Sequence, residues 1–282
     1  MDTHNPRITR LLRWLTSLEV MVLIGAGGGL FFLPAALGPL WPWELTPFNA
    51  RFLGAVYLAS LVSAAALAYA GRWSPARLVV PMIFVFTAVV LVISVIYISR
   101  FTQNPASIVG WFALYIIIPA NALYHLWLYR DKPPVGSVQL PGFMTGLLGA
   151  QALGAGLYGL LLLIVPETAG AFWPWPLDEF HARMYSVAFF TPALGAWLLL
   201  RSASVLELRT MGLTQVAGIL PLVALLVVDA EVQRVNWSEA GTWAWMALWV
   251  GIFLIGGLLL WQSRAAVSIV QGDSFEPANM NL

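Results

Sequence analysis

The 282-residue sequence contains no cysteine. That removes disulfides, thiolate metal sites, iron-sulfur clusters and cysteine nucleophiles together, and leaves the redox compartment unmarked. Charge is nearly as scarce, at 10% against the roughly 25% of a soluble domain. A net charge of +1 with scattered Lys and Arg makes no basic patch, which excludes nucleic acid as a partner. Histidine occurs three times, at His4, His125 and His181. A haem with two axial histidines needs both rings at one iron, yet His125 and His181 fall roughly 25 Å apart along the normal of the expected spans. No cofactor and no metal site is expected. With no acidic or histidine pair at ligand spacing within a span, and no serine beside a base, no catalytic residue is expected either.

What the chain has is apolar length. Hydrophobic residues make up 60% of it. They fall into eight runs near the roughly 20 residues that cross a bilayer core, so the lipid bilayer is the partner the composition demands.

One stretch occurs twice. Pro34 to Arg51 carries Trp41-Pro42-Trp43, Leu45, Phe48 and Ala50. Pro166 to Arg183 carries Trp173-Pro174-Trp175, Leu177, Phe180 and Ala182, every position shifted by 132 with no gap. Asn104 and Trp111 recur as Asn236 and Trp243 at the same shift. The expected fold is an all-α integral membrane protein of eight transmembrane helices, built as two parallel four-helix repeats. Four crossings return the chain to its starting side, so the repeats would be related by a pseudo-twofold along the membrane normal. The organisation that follows is a cytoplasmic or interfacial N-terminus over 1–18, repeat one over 19–130, a cytoplasmic linker over 131–141, repeat two over 142–264 and a disordered tail over 265–282.

Ten Lys and Arg fall on the side of the termini in this topology and four on the other, which places both termini in the cytoplasm of a cell membrane. The Trp-Pro-Trp connections then face outward. Thr46 and Asp178 occupy equivalent helix N-cap positions, Thr46 followed by Pro47 at the first helical position. Gly25-x-x-x-Gly29 and Gly142-x-x-x-Gly146 are expected to let neighbouring helices approach. The third span, Leu78 to Ile98, is almost wholly Val, Ile, Phe and Leu and is expected to face lipid.

Arg51 and Arg183 are the most informative charges. Each sits in a first helical turn, against the macrodipole, and on the outer face, against the positive-inside bias. Both therefore need partners, for which Glu44, Glu167, Asp178, Glu179 and loop carbonyls are in reach. Either they pin the Trp-Pro-Trp loops over the bundle, or together they bind an anionic group. Asp229 and Glu231 are expected to be solvated near Arg234. Glu19 and Gln151 hold equivalent positions near the inner ends of spans one and five, where a hydrogen bond to a neighbouring helix is expected. No ionisable residue falls in the middle of any expected span, which counts against ion-coupled carriers.

The 14 Trp form an aromatic belt with an outward excess, which leaves room for an aromatic-lined outer cavity. Trp41, Trp43, Arg51, Trp173, Trp175, His181 and Arg183 are the candidate ligand-binding residues. The Trp-Pro-Trp-x-Leu-x-x-Phe-x-Ala-Arg segments resemble stretches of uncharacterised bacterial multi-pass membrane proteins. That resemblance implies a bacterial inner membrane and no activity. The expected function is non-enzymatic: an accessory subunit of a membrane assembly with other membrane subunits, or a binder of a lipid or apolar ligand beneath the Trp-rich loops. The alternative is a facilitative transporter with its site between the repeats, and an intramembrane enzyme is the third reading.

Overall fold

The computed structural model describes residues 5–272, with side-chain surroundings to residue 266. His4 and residues 273–282 of the expected tail lie outside the described residues. Twelve α-helices follow one another among the described residues: α1 Arg10–Phe32, α2 Pro34–Leu37, α3 Pro47–Ala70, α4 Trp73–Ile96, α5 Pro105–Leu128, α6 Gly142–Ile164, α7 Pro166–Gly170, α8 Glu179–Tyr185, α9 Val187–Arg201, α10 Val205–Ala217, α11 Leu220–Val232 and α12 Ala240–Gly272. Eight segments are long and apolar enough to cross a membrane: α1, α3, α4, α5, α6, α8 with α9, α10 with α11, and α12. The chain is a multi-pass, all-helical membrane protein.

Local chemistry starts most of these helices. Thr46 accepts from the amide of Asn49 and Asp178 from that of His181, so both expected caps are in place. Asn104 caps α5 through Ser107, and Ser204 with Glu207 closes a reciprocal capping box on α10. Each such cap contributes about 1 kcal/mol.

The first helix departs from expectation. Thr9 caps it by accepting from Leu12, and no breaker follows until the glycines near its far end, so α1 runs unbroken from Arg10. Arg10, Arg13 and Trp14 form the opening turns of α1, continuous with the apolar run that follows, so the N-terminal stretch expected over 1–18 is not a separate element. Residues 5–8 instead strap onto the α3–α4 turn: Ile8 donates to the Gly71 carbonyl at 3.1 Å and Trp73 to that of Pro6 at 2.8 Å. Gly71 makes this turn possible by ending α3 in the left-handed region, φ +57. At the other terminus α12 continues past Arg264 to Gly272, so residues 265–272 are helix where a tail was expected.

α4 also differs from expectation. It does not face lipid as a whole but packs against both α5 and α9, with Leu78, Val79, Val80, Met82, Val90 and Ile93 buried. Apolar composition alone misleads here, because lipid tails and a bundle interior select the same residues.

The close helix crossings use other glycines than the expected pairs. A Cβ on Gly54 would stand 2.6 Å from the Phe31 amide nitrogen and 2.9 Å from the Gly27 carbonyl. Gly27 and Gly54 thus set the α1–α3 contact, whereas Gly25, Gly142 and Gly146 have open space around them. Between α10 and α12, a Cβ on Gly212 would stand 2.9 Å from the Gly256 carbonyl oxygen and one on Gly256 2.9 Å from that of Gly212.

Candidate functional site

Both Trp-Pro-Trp segments lie at one end of the bundle, where they reach into each other's half of the chain. Trp43 Nε1 donates to His181 Nε2 at 3.1 Å, and Trp175 Nε1 donates to Asn49 Oδ1 at 3.1 Å. Positions 43 and 175 correspond at the 132 shift, as do 49 and 181, so the exchange is reciprocal. The rings repeat it: Phe180 packs edge-on to Trp43 at 5.4 Å and Phe48 stacks on Trp175 at 5.0 Å. Phe52, with no exposed surface, sits among Trp173, Trp175 and Tyr185 at 4.8 to 5.8 Å. Trp43, Trp173, Trp175 and His181 are all buried in this collar.

The His181 ring is held at both nitrogens. Indole N–H can only donate, so Nε2 is the acceptor and Nδ1 carries the proton toward Asp178 Oδ1 at 2.9 Å. Burial opposes ionisation of the Asp178 carboxyl. The hydrogen bonds from the His181 ring and the His181 amide, with the Arg100 guanidinium nearby, outweigh it and hold the carboxyl at about 2.

Arg51 and Arg183 complete the collar in parallel fashion. Arg51 donates to the last-turn carbonyl of α1 at Phe31, 2.8 Å, and Arg183 to the corresponding carbonyl of α6 at Leu163, 3.0 Å. Each guanidinium also reaches the opposite half, Arg51 to Glu231 at 2.8 Å and Arg183 to the hydroxyl of Tyr97. Glu179 pairs with Arg183 at 2.6 Å. Glu231 is therefore an ion-pair partner of Arg51 and not simply solvated, and Asp229 accepts from Trp237 Nε1 at 2.9 Å. Both guanidiniums are thus engaged by helix-end carbonyls and by acids.

At the opposite end, the linker face, a second set of contacts ties the halves. Arg77 pairs with Glu207, which is 1% exposed, at 2.7 Å, and donates to the Ser202 carbonyl. Ser74 and Ser204 share a hydrogen bond of 2.6 Å. His125, fully buried, is satisfied by Thr9 Oγ1 at 2.6 Å and the Asn121 carbonyl at 2.8 Å. It has no ring nitrogen left for a metal.

A large cavity lies mainly within the first half, with Thr191 of α9 also at its wall. It measures about 530 Å³ and extends from Trp41 and Pro42, beneath the first loop, to Glu19 and Ser63 among α1, α3, α4 and α5. Exposed Gly25 on α1 and Gly110 on α5 both line it and have nothing within 4 Å of an added Cβ, which marks a lateral opening between these helices. The two glycines lie about 10 and 8 Å from the Trp-face ends of their helices. Of the candidate residues, only Trp41 contributes to this cavity.

Glu19 is the residue that sequence reasoning misplaced. With α1 beginning at Arg10, it stands about 14 Å from one end of the helix and about 20 Å from the other, well inside a helix long and apolar enough to cross a membrane. Recognising Thr9 as an N-cap would have put it there. Its equivalent, Gln151, does bond a neighbouring helix, donating to the Pro192 carbonyl at 3.0 Å. Glu19 has no hydrogen bond among the described residues and lines the cavity instead. Tyr57 and Tyr115, joined hydroxyl to hydroxyl at 2.9 Å, line it at a similar depth.

The second half has a shallower hollow of about 390 Å³ without any charged lining residue, where Tyr158 takes the place of Ala26. Between the halves, near mid-depth, the void is only about 60 Å³ and mostly apolar, with Gln215 at its wall. No family model, curated protein or solved structure matches the chain.

Proposed function

We propose that the protein is a non-enzymatic binder of an apolar ligand drawn from the surrounding bilayer, held in the cavity beneath the first Trp-Pro-Trp loop. The observation that carries this is the lateral opening at Gly25 and Gly110. It joins a cavity of about 530 Å³, within the usual range of ligand sites, to the lipid-facing side of the bundle. A transporter with its site between the halves would need a polar chamber at mid-depth, and the void there is about 60 Å³.

We infer further that the halves are parallel repeats related by a pseudo-twofold along the membrane normal. The exchanged contacts of Trp43 with His181 and Trp175 with Asn49 support it, because a rotation maps each contact onto the other. The excess of Lys and Arg on the linker face supports cytoplasmic termini in a bacterial inner membrane.

The test is native mass spectrometry of the protein released from membranes in gentle detergent. The wild type is expected to retain one apolar molecule per chain. Ala26→Trp, which fills the cavity, is expected to retain none while unfolding at the wild-type temperature. Equal retention by the two proteins rejects the cavity as the site, and stoichiometric co-purification of another polypeptide favours the accessory-subunit reading.

A further inference from the structure

The cavity is not uniformly apolar, and its one charged residue has no counter-charge. No Lys, Arg or His lines it among the described residues. A carboxylate held in a low-dielectric site without a cation costs several kcal/mol, so Glu19 is either neutral or waiting for a positive group to enter. The walls around it favour the second outcome. Trp41, Trp111, Tyr57, Tyr115 and Phe86 line the same cavity, and the faces of such rings attract cations. Trp111 and Tyr115 lie 4.2 Å apart and Trp41 and Trp111 5.7 Å, so the rings form one continuous aromatic wall.

The phenol pair adds to this. In the Tyr57–Tyr115 hydrogen bond one hydroxyl donates and the other accepts, and both oxygens keep lone pairs that can face a donor. An acid, an aromatic wall and hydroxyl oxygens together make the chemistry that recognises ammonium. The duplicate position shows what is specific here. Gln151 holds no charge and spends its amide on a backbone carbonyl, so the acid belongs to one half only.

Resting on the apolar-ligand reading above, we propose that the ligand is a single-chain amphiphile with a cationic amino head. Its ammonium pairs with Glu19 and its chain runs through the cavity toward Trp41. The head enters through the lateral opening and moves to mid-depth, where the carboxylate replaces the lost water.

The experiment uses three probes of equal chain length: bromododecylammonium, bromododecanol and bromododecanoate. Each is titrated into the full-length protein in maltoside micelles. Bromine on the chain quenches the cavity tryptophans, so quenching reports occupancy. The wild type is expected to take the ammonium about tenfold or more tightly than the carboxylate, with the alcohol between. Glu19→Gln is expected to lose that preference and keep the alcohol affinity. The wild-type ranking needs no variant to fold, and an ammonium bound no better than the alcohol overturns the proposal. So does a preference that survives in Glu19→Gln. If no probe quenches the wild type differently from Ala26→Trp, the cavity is not a ligand site and both readings fall together.

Discussion

Trp43 and His181, 138 positions apart in the chain, share a hydrogen bond of 3.1 Å in which the imidazole Nε2 accepts, and it joins the two halves. Trp175 makes the matching bond to an asparagine amide. The same job is thus done once by an imidazole and once by a carboxamide.

His181→Asn should therefore be tolerated, since it copies the other half. His181→Ala leaves a buried indole N–H without an acceptor and should cost about 1 to 3 kcal/mol. Denaturant unfolding in detergent, followed by tryptophan emission, measures both. Equal stability of the alanine variant and the wild type would falsify a bonding role for the pair.

Acid should weaken the same corner. The Asp178 carboxyl is held at about 2, below its ordinary 3.8, so the folded state binds that proton less readily than the unfolded chain. Its contribution is complete above 3.8 and is lost as pH falls toward 2. Asp178→Asn should lack this component, and the difference in stability between the variant and the wild type should shrink over that interval. A difference that stays constant from pH 5 to about 2 would argue against it.

Gly54→Ala should destabilise the bundle by about 1 to 3 kcal/mol, because its Cβ would meet the backbone of α1 and not a movable side chain. Gly25→Ala, in the sequence-apparent glycine pair, should be near neutral. Thermal melts of the two variants give opposite rankings under the two assignments.

Glu207→Leu should cost about 3 to 5 kcal/mol by leaving Arg77 buried without its acid. The double variant Arg77→Met/Glu207→Leu should be more stable than that single change, which a double-mutant cycle reads directly.

Much of this was legible in the sequence where the signal is local. The two caps at Thr46 and Asp178, the eight crossings and the need of Arg51 and Arg183 for partners follow from composition and spacing. One expected partner is in place, Glu179 on Arg183; Glu231 and Tyr97 were not legible, because they come from the opposite half and nothing in one half points to them. The glycine crossing lies two residues from the expected pair: Gly25 and Gly29 share one face of α1 and Gly27 lies on nearly the opposite one, and the sequence does not say which face meets α3 until the partner backbone is seen. Glu19 was lost by the start of one helix. Placing the first span a turn or more too late moved the acid from mid-depth to the interface and hid the cavity it faces.

The halves are fastened at both ends, by the aromatic collar on one face and by Arg77 with Glu207 and Ser74 with Ser204 on the other. A rocking motion of one half against the other would have to tear one fastening or the other. A ligand of the kind proposed would then reach Glu19 sideways, from the plane of the membrane between α1 and α5, and leave by the same door.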